Sequence, residues 1–226
     1  MMLSAVMEDY LKTIYVLQVQ GDGARVTTSR LADALDVTPP TVTSMLGKLD
    51  DRGLVERRKY KGVRLSDQGE RVALEVLRHH RLLESYLTEQ LDFDWSEVHD
   101  EADALEHHIS EELERRIAAS LGDPVVDPHG DPIPSVDLEP LDEGVGATLA
   151  EAGGGEEVVI ERVRDNDPAE LRYLDEHGIR PGVRVEVIEV TPFDLVTVQS
   201  AAHDDPVALP TAIARRVRVV EPDPAG

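Results

Sequence analysis

The 226-residue chain has no cysteine. That excludes disulfides and every thiolate metal site, and it fits a reducing cytoplasm. No run reaches the roughly 18 apolar residues that a membrane helix needs, so no membrane partner is expected. The N-terminus enters an amphipathic helical pattern directly, without signal-peptide architecture. HExxH, a nucleophile elbow and a P-loop are all missing, so neither an enzyme nor a small organic substrate is expected. No internal repeat is present. Lysine is scarce: Lys12, Lys48, Lys59 and Lys61 are the only four. With a net charge of −23, this composition suggests adaptation to high internal salt.

Such a charge argues at first against a nucleic-acid partner, but its distribution reverses the argument. Residues 1–66 carry 10 Lys+Arg and 8 Asp+Glu, and the remaining 160 residues carry 13 and 38. The N-terminal third is therefore weakly basic, and nearly all the acidity lies outside it.

Apolar spacing predicts a helix over residues 5–20, closed by Gly21-Asp22-Gly23. A short helix follows near Ser29–Leu35, then a turn at Asp36-Val37-Thr38. The next helix runs from about Pro39 to Arg52, with Thr38 as cap, Pro39 in the first position and Gly53 as terminator. Leu54–Arg58 and Gly62–Leu65 read as two strands of a β-wing. Helix, tight turn, helix and wing is the order of a winged helix-turn-helix. Leu31, Ala34, Leu35, Val42, Leu46 and Leu49 are the expected packing positions. Long helices are predicted from Ser66 to about Gln90 and from Trp95-Ser96 to about Leu121. A Gly/Pro/Asp-rich linker and a small β-barrel with one helix at 168–177 complete the chain.

The expected architecture is mainly α with a small β domain. It comprises a DNA-binding domain at 1–66, a helical domain at 67–121, a linker at 122–155 and a barrel at 156–226.

A recognition helix needs small or polar residues where it meets base edges. Thr38, Pro40, Thr41, Thr43 and Ser44 supply them. The wing holds the densest basic cluster of the chain, Arg57, Arg58, Lys59, Lys61 and Arg64. Such a cluster neutralises phosphates and positions the module without reading sequence.

In HDEADALEHH (99–108), Asp103, Glu106 and His107 stand at i, i+3 and i+4 and so share a helix face. Two carboxylates and an imidazole on one face call for a cation. His80 and Glu84 form a second ligand-like pair, His99 can join them, and Asp9 lies in the first helix. Oxygen and nitrogen donors without sulfur suit Mn(II), Fe(II), Co(II) or Zn(II).

Several segments together resemble the diphtheria toxin repressor family of iron- and manganese-dependent regulators. They are MEDYLKTIY (7–15), HHRLLESYL (79–87), VHDEADALEHHISEELERRI (98–117) and DPHGDPIP (127–134), and the last segment is similar to the FeoA-like barrel of that family. The resemblance implies a homodimeric, metal-dependent repressor that binds double-stranded operator DNA. Its primary site would use Asp9, Asp103, Glu106 and His107, and its ancillary site His80, Glu84 and His99, with Asp167 or Glu170 of the barrel as further candidates. Iron-type members place Met and Cys at the positions of Asp9 and Asp103, so the ligand set looks manganese-type. Lys12 departs from it, because manganese-type members carry a second carboxylate there. Mn(II) is the expected effector and Fe(II) the alternative, with Co(II), Ni(II) or Zn(II) accepted in vitro. The rival readings are an iron(II)-dependent regulator of the same fold and a winged-helix regulator indifferent to metal.

Overall fold

In the computed structural model, residues 3–141, 146–164, 167–203 and 205–222 are described. Parts of the expected linker (142–145) and barrel (165–166, 204, 223–226) lie outside them. The chain divides into two compact units. One comprises Met1–His80, Ala104–Arg116 and Ile133–Glu143, and the other Arg81–Asp103, Ile117–Pro132 and Gly144–Gly226.

In the first unit, Ser4 caps α1 (Ala5–Gln20), its hydroxyl accepting from the Met7 amide. Tyr10, Leu11, Ile14 and Leu17 turn one face of α1 into the core. Thr27 and Thr38 cap α2 (Thr28–Ala34) and α3 (Pro39–Asp50), each accepting an amide three residues on. The turn between them needs a left-handed residue, and Asp36 (φ 50°) provides it; Asp tolerates that region better than most side chains. Leu31, Val42, Leu46 and Leu49 are buried between the two helices. Ala34, expected to pack there, is exposed.

Strands β1 (Val55–Arg58) and β2 (Gly62–Leu65) pair antiparallel, with Val55 opposite Leu65 and Arg58 opposite Gly62. Val63 and Leu65 point inward while Arg64 points out, the alternation of a half-buried hairpin. Ser66 accepts from the Gly69 amide at 3.1 Å and starts α4 (Asp67–Leu91).

The expected helix over 95–121 is instead two, α5 (Val98–Leu105) and α6 (Glu111–Ser120). Two competing hydrogen bonds explain the break. His79 Nδ1 takes the Glu106 carbonyl at 3.1 Å, and Ser110 caps α6, its hydroxyl accepting from the Leu113 amide at 3.3 Å. The Glu106 carbonyl is thereby engaged by a side chain, and the backbone turns at 106–108.

The second unit contains a six-stranded antiparallel sheet ordered β3-β8-β4-β5-β6-β7. Its strands are β3 (Ala147–Thr148), β4 (Glu157–Val163), β5 (Arg184–Thr191), β6 (Leu195–Ser200), β7 (Val207–Pro210) and β8 (Val217–Val220). The short strands β3 and β7 form its edges and were not expected from the sequence. Helix α7 (Pro168–Glu176) and the short α8 (Thr211–Ala214) complete it. Its core is aliphatic, with Ile160, Leu171, Leu174, Ile179 and Leu209 fully enclosed. Among the described residues, no helix is long and apolar enough to cross a membrane.

Candidate metal centres and nucleic-acid interface

Within each unit, one cluster of ligand-type side chains comes together. In the first unit, Asp9 of α1 meets Glu106 and His107 of the turn after α5. One donor atom from each lies within 4.8 Å of the others. His107 Nε2 is 2.7 Å from Asp9 Oδ1 and 3.3 Å from Glu106 Oε1. Its other nitrogen, Nδ1, is 2.7 Å from Glu8 Oε2. A carboxylate behind an imidazole fixes which nitrogen faces the cluster and raises its basicity as a ligand.

Glu106 is the hub. Its side chain is fully buried, His80 Nδ1 lies 2.6 Å from Oε2, and Lys12 Nζ lies 2.7 and 2.8 Å from Oε1 and Oε2. Burial pushes the Asp9 carboxyl above its ordinary range. His107 and Lys12 oppose that rise, and Glu106 adds to it.

The second cluster is Glu84, Asp127 and His129, all buried, again with one donor atom each within 4.8 Å. The tight turn of DPHGDPIP builds it. Asp127 Oδ1 accepts from the amides of His129 (2.8 Å) and Asp131 (2.9 Å), and Gly130 takes φ 84°. The His129 ring stacks on Trp95, and its Nε2 donates to the Trp95 carbonyl at 2.9 Å. Nδ1 is left facing Glu84 Oε2, at 3.8 Å. His99 Nδ1 is 3.0 Å from Glu84 Oε1. Burial lifts the Asp127 carboxyl to about 7, with Glu84 and Asp131 adding to the rise. Burial alone would lower His129, but the charges of Glu84 and Asp127, with the hydrogen bond to the Trp95 carbonyl, outweigh it and hold the ring at about 9. Arg81 Nε lies 3.6 Å from Asp127 Oδ2 and supplies positive charge beside the cluster, whose three buried oxygen and nitrogen donors are of the kind a divalent cation takes.

The remaining expected ligands lie apart from these two clusters. Asp103 faces His99 one turn back on α5, at 3.7 Å. Asp167 caps α7, accepting from Ala169 at 2.8 Å, and Glu170 pairs with Arg216 at 2.8 Å. Glu8, Asp127 and His129 were not singled out from the sequence. The signal for the last two was present in DPHGDPIP, a segment whose Pro and Gly content reads as linker.

The residues expected to meet nucleic acid are exposed. Thr38, Pro40, Thr41, Thr43 and Ser44 are all solvent-accessible, as are Arg57, Arg58, Lys59, Lys61 and Arg64. The Thr38 and Thr41 hydroxyls bond each other at 2.9 Å, whereas Thr43 donates back to the Pro39 carbonyl at 3.0 Å. At the wing tip, Tyr60 is 94% exposed with φ 63°, and Lys59 Nζ lies 5.0 Å from its ring centre.

Comparison with known proteins identifies the family. Residues 2–63 match the iron-dependent repressor N-terminal DNA-binding domain. Residues 66–135 match the iron-dependent repressor metal-binding and dimerisation domain, and 147–221 the FeoA domain. The iron-dependent repressor IdeR of Mycobacterium tuberculosis is 34% identical over 223 residues, covering 94% of this chain and 95% of that protein. The chain belongs to the diphtheria toxin repressor family. The diphtheria toxin repressor of Corynebacterium diphtheriae itself is 31% identical over 195 residues, covering 80% and 84%. Among solved structures, a manganese-dependent transcriptional repressor in complex with manganese superposes with a TM-score of 0.85 at 36% identity, covering 95% of this chain and 99% of that one.

As a member of this iron- and manganese-dependent repressor family, the chain is a DNA-binding transcriptional repressor with a metal-binding dimerisation domain. The first cluster draws its residues from both matched regions. Asp9 lies in the DNA-binding region, and Glu106 and His107 lie in the metal-binding region.

Proposed function

We propose that this repressor binds a palindromic operator as a homodimer when Mn(II) is bound by Asp9, Glu106 and His107, and that it acts in the cytoplasm on metal-uptake genes. The convergence of these three residues from sequence-distant segments carries the reading. A divalent ion supplies the positive charge that lets Asp9 and Glu106 approach without repulsion. Asp9 then fixes α1 of the DNA-binding region against the turn at 106–108, while Glu8 orients His107. Two recognition helices held in this way would meet successive major grooves, about 34 Å apart. Reciprocally, operator DNA tightens metal binding by the same factor.

Glu84, Asp127 and His129 are proposed as a second metal site, with His99 orienting Glu84. Hard donors without sulfur favour Mn(II), with Fe(II) next. The manganese-bound relative supports the same choice.

Binding-site selection with Mn(II), followed by mobility-shift titration with Mn(II), Fe(II) and chelator, tests the proposal. Mn(II) should tighten operator binding and chelator should reverse it. Equal affinity with and without metal refutes it.

A further inference from the structure

Lys12 lies three residues after Asp9 on α1, so the two share a face of the helix. Its ammonium reaches both oxygens of Glu106, at 2.7 and 2.8 Å. Glu106 is fully buried and Lys12 is 15% exposed. A carboxylate in that position is costly without a positive partner, and Lys12 supplies one. The same two oxygens are what Glu106 has to offer a divalent cation. An ammonium and a metal ion cannot hold them together without strong mutual repulsion in a partly desolvated site.

We propose that Lys12 is a tethered competitor for the metal. Its ammonium holds Glu106 until a divalent ion displaces it, so Lys12 sets the metal concentration at which the first cluster fills. This inference rests on the metal reading of that cluster. The choice of residue supports it. The chain has nineteen arginines and four lysines, and the other three lysines lie on the recognition helix or wing. An arginine here would grip the carboxylate with a planar two-pronged fork and yield it reluctantly. Lysine offers a single point charge on a flexible stem, which can swing toward water without moving α1. The ion brings a double charge and also engages Asp9 and His107. The single ammonium therefore prevails at low free metal and loses at high.

The test is Mn(II) titration calorimetry on the full chain, following the binding component that Glu106→Gln removes. Lys12→Gln should bind Mn(II) there roughly tenfold tighter or more, because the competing charge is gone. Lys12→Arg should bind more weakly than the wild type. A merely structural role for Lys12 would not order the three proteins in this way. Lys12→Gln binding no tighter than wild type overturns the proposal. If Glu106→Gln removes no component, the metal reading of the cluster fails as well; if it does and Lys12→Gln changes nothing, only the role of Lys12 fails. Should Lys12→Gln not fold, the wild type labelled with [ε-13C]lysine gives the same answer by NMR. On adding the diamagnetic probe Zn(II), the Lys12 signal, assigned by its loss in Lys12→Arg, should shift while the other three lysines stay. An unmoved Lys12 signal overturns the proposal.

Discussion

Gly130→Ala should cost both stability and one metal ion per chain. Gly130 sits at φ 84°, where an L side chain pays about 1–2 kcal/mol. The space is also taken. A Cβ there would lie 2.2 Å from the Glu161 carbonyl oxygen, 3.0 Å from Arg162 Cα and 3.1 Å from the Glu161 carbonyl carbon. All three are backbone atoms of β4, so no side chain can rotate away. Restoring ordinary contact needs a shift of about 1 Å, and such overpacking costs roughly 1–3 kcal/mol. The same shift pulls on the hydrogen bond from the Val163 amide to the His129 carbonyl, now 2.9 Å, worth about 1 kcal/mol. The total is roughly 3–6 kcal/mol, or on the order of 10–20 °C in Tm.

His129 is the preceding residue, so the second cluster loses its imidazole geometry while the first keeps its own. Calorimetric melting and Mn(II) stoichiometry measure the two effects. Gly122→Ala is the control. Gly122 has φ 75° but nothing within 4 Å of the added carbon, so that variant should lose only the conformational cost and no metal. A Gly130→Ala protein with Tm within about 2 °C of the wild type and full stoichiometry refutes the reasoning.

Replacing Arg58 and Lys61 by Ala should lower operator affinity uniformly across sequences. In a salt titration, the slope of log K against log salt should fall by up to about 2. Glu8→Gln removes the partner of His107 Nδ1 and should weaken Mn(II) at the first cluster about 10–100-fold with the fold intact, as read by calorimetry. Asp94 is held below the ordinary aspartate value of 3.8, chiefly by the Ser96 hydroxyl (2.5 Å) and amide (2.8 Å). A depressed carboxylate contributes stability above its unfolded pKa and loses it as pH falls through the folded one. Asp94→Ala should therefore cost about 1 kcal/mol at pH 7, and the difference should shrink below pH 3.8. Urea melts at both pH values check this.

The DNA-binding half was legible because its signals are local. The cap at Thr38, Pro39 at the start of α3 and Gly53 after its end are signals that depend on neighbours a few residues away. Val55–Arg58 and Gly62–Leu65 fall where the pattern placed them, to within a residue. The edge strands β3 and β7 were not legible. Each is too short to show a period, and each forms only because a longer strand offers it a hydrogen-bonding edge.

The metal residues divide along the same line. The sequence by itself determined the donor chemistry: no cysteine, and carboxylates and imidazoles concentrated at 80–107. It could not determine the grouping. Helical spacing put Asp103 beside Glu106 and His107. That spacing assumed an unbroken helix, and the Glu106 carbonyl instead bonds to His79 while Ser110 starts a new helix. Tertiary structure turned Glu106 and His107 toward Asp9, and it left Asp103 on His99. It also buried Asp127 and His129 of a Pro/Gly-rich segment beside Glu84. Composition and local periodicity fix what a side chain can do. Which side chains meet depends on where the backbone turns, and here hydrogen bonds between residues distant in sequence decide that.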